Sequence, residues 1–135
     1  MILSDDRSRS TNAKVENGFY SIVYGGPAGS GVGVLVLCDG SITGADAGGN
    51  LYDGHYFEDL ETETIKFHVD VTIPAHMPMV IGVAARPESW KFSMDGDLPP
   101  GFARGLPIII RTGTAPVSVS FRSIRKLEDI SGSNG

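Results

Sequence analysis

The chain has one cysteine, few basic residues, no long apolar run and no sustained helical period, and each shortage removes a class of protein. Cys38 alone can close no intramolecular disulfide and build no multi-cysteine metal site, which fits a reducing, cytoplasmic compartment. No stretch approaches the roughly 18 apolar residues that a membrane helix requires, so no membrane partner is expected. Met1-Ile2-Leu3-Ser4-Asp5-Asp6 lacks the basic and apolar regions of a signal peptide. Lys and Arg number 11 against 16 Asp and Glu, a formal charge of -5. Without a basic face, direct nucleic-acid binding is not expected, whereas a basic protein partner suits such a chain.

Catalytic and cofactor signatures are also missing. His55, His68 and His76 are too dispersed for a recognised metal spacing, so no metal is expected. Gly25 to Gly33 invites comparison with a phosphate-binding loop, but a Val-rich strand follows it and no Gly-Lys-Ser/Thr ends it. No cofactor is expected, and the stretch reads as a flexible inter-strand loop. Asp95-Gly96-Asp97 lacks the remaining carboxylates of a calcium loop and reads as a turn. No nucleophile elbow or reactive-cysteine signature is present, and Cys38 reads as a small core residue. The expectation is a non-catalytic protein.

What the chain does have is glycine, 18 residues of it, together with β-branched and aromatic runs at regular intervals. Phe19 to Tyr24, Val32 to Cys38, Ser41 to Asp46 and Leu51 to Phe57 read as strands, with Asp39-Gly40 as a hairpin turn. The clearest period is that of Ile65, Phe67, Val69, Val71 and Ile73 alternating with Thr64, Lys66, His68, Asp70 and Thr72. Trp90, Phe92 and Met94 alternate before a second turn expected at Asp95-Gly96. Ile108 to Thr112 and Val117 to Leu127 complete the series, with Val117, Val119 and Phe121 facing one way. Residues 74–89, broken by Pro74, Pro78 and Pro87, are ambiguous, and Met79 to Ala85 fits either a short strand or a helical turn. The pattern predicts an all-β, up-and-down antiparallel barrel of about eight strands, with a sandwich as the alternative. Residues 1–16 read as a disordered arm, 17–127 as the barrel and 128–135 as a flexible tail.

Three stretches carry a resemblance: Asn17-Gly18-Phe19-Tyr20-Ser21-Ile22-Val23-Tyr24, Gly31 to Val36 followed by Asp39-Gly40, and Ile42-Thr43-Gly44-Ala45-Asp46 with Gly48 and Leu51-Tyr52-Asp53-Gly54. Together they resemble the GrlR family, named for a repressor of type III secretion genes in enteric bacteria. The resemblance covers residues 17–73 and implies a lipocalin-like barrel, a homodimer, and a bacterial negative regulator of transcription that sequesters an activator. It also implies an acidic partner-binding segment, which here corresponds to Glu58, Asp59, Glu61 and Glu63. The alternative reading is a carrier or sensor of a small hydrophobic ligand, with Phe67, Val69, Trp90, Phe92 and Phe121 facing the barrel interior.

Overall fold

The computed structural model describes residues 15–79, 82–112 and 115–127. Within them the chain is all-β, with strands β1 (Gly18–Gly26), β2 (Gly29–Cys38), β3 (Ser41–Asp46), β4 (Leu51–Asp59), β5 (Thr64–Ile73), β6 (Trp90–Leu98), β7 (Ile108–Arg111) and β8 (Pro116–Lys126). All neighbours are antiparallel, and the sheet order is β6-β5-β4-β3-β2-β1-β8-β7. This is an up-and-down barrel, nearly closed, because β6 and β7 come together at the seam without hydrogen-bonded pairing. Among the described residues no helix is long and apolar enough to cross a membrane.

The alternation of inward and outward side chains decides the interior. On β5 the inward set Ile65, Val69, Val71 and Ile73 is buried, with Ile73 fully so. On β8 the inward set is Val117, Val119 and Phe121. The hairpin between β2 and β3 has the expected two-residue form. Asp39 and Gly40 both take positive φ, 49° and 89°, and Cys38 pairs with Ser41.

Odd-numbered strands run from a lower end to an upper end, and even-numbered strands return. The lower end is plugged by the β6–β7 connection, whose Phe102 stacks on Tyr20 at 5.8 Å and meets Phe121 edge-on at 5.4 Å. Val15 closes the same end and is only 6% exposed. Its N–H donates to the Glu58 carboxylate. The ordered unit therefore begins by Val15, two residues inside the arm expected over 1–16; the rest of that arm and the tail over 128–135 lie outside the described residues.

Three local expectations are corrected. The Gly25–Gly33 segment is not a loop: β1 and β2 continue through it and turn only at Pro27-Ala28, with Gly26 paired to Gly29. Nor does the chain turn at Asp95-Gly96, because β6 runs on to Leu98. Gly96 pairs with Phe67, and a Cβ there would stand 2.8 Å from the Phe67 ring, so the glycine clears the ring's seat. Finally, Cys38 follows the buried Leu37 by one residue, so the pleat places it on the outward side, half-buried, rather than in the core.

Phe102 is the largest apolar group in the lower plug, and truncating it leaves a cavity between Tyr20 and Phe121. F102A is expected to lower the unfolding free energy by roughly 3–5 kcal/mol in urea denaturation, with secondary structure retained.

Candidate functional site

Above the plug the barrel is hollow. A cavity of about 620 Å³ runs up the interior, lined by Ile22, Leu35, Phe67, Val69, Phe92 and Met94 among others. That volume falls within the range of about 300–1,000 Å³ typical of small-molecule sites. Among the described residues, no Lys, Arg, His, Asp or Glu lines it. At the upper end the solvent-exposed Ala47, Gly48 and Pro78 border it, together with Met77 and Met79 from the segment after β5.

Of the five interior residues expected from the sequence, Phe67, Val69, Phe92 and Phe121 line this cavity and Trp90 does not. Trp90 opens β6 at the upper rim. There its ring packs on Phe92 at 5.8 Å and beneath the Arg86 guanidinium, 3.7 Å from the ring centroid. Its Nε1 is buried without a hydrogen-bond partner.

The same end carries a polar cluster that the sequence reading did not single out. Asp46 ends β3 on the inward side and is 9% exposed. Its Oδ2 accepts hydrogen bonds from the Tyr24 hydroxyl at 2.6 Å, the Tyr52 hydroxyl at 2.6 Å and Asn50 Nδ2 at 2.8 Å. Its Oδ1 accepts from the backbone N–H groups of Gly48 at 2.9 Å and Asn50 at 3.0 Å. One carboxylate thus ties β1, β3 and β4 together and shapes the β3–β4 turn.

Inward glycines make the arrangement possible. A Cβ on Gly31 would run into the Tyr24 ring, and one on Gly33 would come within 2.7 Å of Asp46.

The electrostatics follow from this geometry. Burial works to raise the Asp46 pKa, but the hydrogen bonds from Tyr24, Tyr52 and Asn50 outweigh it and hold the carboxyl below its ordinary 3.8. Tyr24 is pushed up to about 12 by burial and by its bond to Asp46, and Tyr52 is driven higher for the same reasons. All three are locked at neutral pH as one carboxylate and two protonated phenols. The parity of β3 carries the signal that reveals the cluster: Ile42, Gly44 and Asp46 share one face, so a carboxylate stands on the inward side.

The four carboxylates expected to form a docking surface are divided between two kinds of work. Glu58 is turned into the lower end, where it holds the Val15 N–H. Asp59 caps the β4–β5 turn, accepting from the N–H of Glu61 at 3.0 Å and of Thr62 at 3.4 Å. Glu61 and Glu63 are exposed, and Glu63 takes a positive φ of 58° in the turn.

The outer wall over β4, β5 and β6 carries a second polar group. His68 Nδ1 lies 2.6 Å from Asp95 and Nε2 lies 3.1 Å from Asp70, which also accepts from Ser93 at 2.5 Å. The His55 ring stacks on His68 at 5.5 Å. Among the described residues no group of three or more His, Cys, Asp or Glu is placed to hold a metal ion.

No protein-family model matches the chain, and no curated protein matches it.

Two outcomes are expected. D46N sets an amide donor among donors and lowers the unfolding free energy by roughly 2–4 kcal/mol at pH 7. Because the folded-state pKa of Asp46 is depressed, its contribution is present above 3.8 and lost as the pH falls through the lower folded value. Urea unfolding of wild type and D46N should therefore converge in strong acid. For His68, the bond to Asp95 leads in raising the pKa above 6.5. Its stabilising contribution is complete below 6.5 and is lost as the pH rises through the raised value. D95N should move the His68 midpoint down in an NMR titration.

Proposed function

We propose that this protein is a carrier or sensor that binds a small apolar molecule inside its barrel. One observation carries the reading: an apolar interior of about 620 Å³, plugged at the lower end of the barrel and bordered by solvent-exposed residues at the upper end. Side chains of the sizes present here would fill a small barrel if the inward positions were all large. They are not, since Gly33, Gly44, Gly54 and Gly96 stand at inward positions, where Asp46, Leu35 and Phe67 lie against the wall beside three of them. A preformed apolar chamber of this volume gains free energy by taking in an apolar occupant, because both surfaces leave water.

The capture of a transcriptional activator, which the resemblance to the GrlR family suggests, draws less support from the geometry. Of the four acidic residues it would use, Glu58 and Asp59 already accept backbone hydrogen bonds within the chain. Glu61 and Glu63 alone remain as an exposed acidic turn.

Native mass spectrometry of freshly purified protein tests the proposal by showing a co-purified small molecule or uptake of an added apolar fluorophore at one per chain. V69F, which places a ring inside the lumen, is expected to weaken that uptake by roughly tenfold, about 1.4 kcal/mol. Intact wild-type protein that retains no small molecule and takes up no apolar probe would contradict the proposal.

A further inference from the structure

The polar atoms at the upper end have a consistent hydrogen-bonding sense. Tyr24 and Tyr52 both direct their hydroxyl protons to Asp46 Oδ2, so each phenol oxygen is left only as an acceptor. The Asn50 amide has a fixed orientation, because its Nδ2 must face the carboxylate. Its Oδ1 is consequently buried, and it has no hydrogen-bond partner. A buried amide oxygen without a donor is uncommon in folded proteins. All three residues are among those that line the cavity. Against their three acceptor oxygens stands one remaining donor, the second N–H of Asn50.

The other polar lining residues do not alter that balance. Ser30 lies exposed at the rim, and the Thr112 hydroxyl donates to the Ala115 carbonyl at 2.6 Å. Tyr56 belongs to the lower half, one turn of the pleat above Glu58. Directly behind Tyr24 and Tyr52 sits the Asp46 carboxylate, and among the described residues no cationic side chain lines the cavity to offset it. An anionic group brought to this end would lose its hydration beside a like charge, in surroundings that screen the repulsion poorly. A hydroxyl or ammonium group would meet acceptors instead.

We infer, resting on the carrier reading above, that the occupant is an amphiphile whose polar end donates a hydrogen bond and carries no negative charge, seated against Tyr24, Asn50 and Tyr52. The apolar remainder lies down the lumen toward Phe67, Val69 and Phe121. A fatty-acid anion is the wrong ligand for this cavity; a long-chain alcohol or alkylammonium is the right one.

The full chain is titrated at pH 7 with dodecanol, dodecylammonium and dodecanoate, each displacing a bound apolar fluorophore. The three share one tail and differ only at the head. Dodecanol and dodecylammonium are expected to displace the fluorophore at concentrations at least about tenfold lower than dodecanoate. N50L removes the unpartnered oxygen and is expected to erase most of the advantage of dodecanol over dodecanoate. The wild-type ranking stands by itself should N50L unfold. Dodecanoate binding as well as or better than the other two would overturn the head-group inference and leave the carrier reading in place. A fluorophore that binds while no dodecyl compound displaces it would overturn the inference as well. Failure of the fluorophore and all three compounds to bind would overturn the carrier reading itself.

Discussion

A single buried carboxylate sets the geometry of the upper half of the barrel. Asp46 would be costly to bury alone, since an ionised group without partners loses far more hydration than a small domain can offset. Five donors from two strands and the β3–β4 turn surround it, and they keep it charged. That requirement fixes the rotamers of Tyr24 and Tyr52, the course of the β3–β4 turn and the orientation of the Asn50 amide. It also explains why Gly31 and Gly33 oppose those side chains, since a methyl group at either place would occupy the seat of the ring or the carboxylate.

The two ends of the barrel are built on different physics. The lower end is apolar and filled, with Phe102, Tyr20 and Phe121 in ring contact and Val15 brought in under the Glu58 carboxylate. The upper end is organised by hydrogen bonds around a charge and left partly open. Packing contributes most of the stability of such a domain, and buried side chains at both ends supply it, from Val15, Tyr20 and Phe102 below to Val71, Ile73 and Val117 above.

Much of the fold was legible from period-two alternation alone. The β5 pattern from Thr64 to Ile73 assigns every inward residue, and Asp39-Gly40 has the dihedral angles its hairpin needs. Glycine was harder to interpret. Gly25 to Gly31 and Asp95-Gly96 carry the composition of turns, yet both lie mostly in strands, where glycine makes room for an aromatic ring from the neighbouring strand. Composition cannot distinguish a glycine that bends the chain from one that clears space across it. The interior residues were legible for the same reason as β5, with Trp90 departing because the rim offers it Arg86. The Asp46 cluster was not found, although parity along β3 places its carboxylate inward. Its partners Tyr24 and Tyr52 come from other strands, and only the register brings the three together. The acidic segment was visible as charge, but its division follows from where β4 ends: Glu58 and Asp59, the last strand residues, accept backbone N–H groups, and Glu61 and Glu63 lie exposed in the turn beyond.

The central claim is that the lumen is an accessible binding chamber rather than an unfilled core. A solution NMR titration of the full chain with dodecanol addresses it most directly. The account predicts saturable shifts confined to inward-facing groups such as Tyr24, Phe67, Val69 and Phe92, with the outward partners Lys66, His68 and Lys91 unmoved. Shifts limited to the outer wall, or none at concentrations that saturate an apolar site, would contradict it.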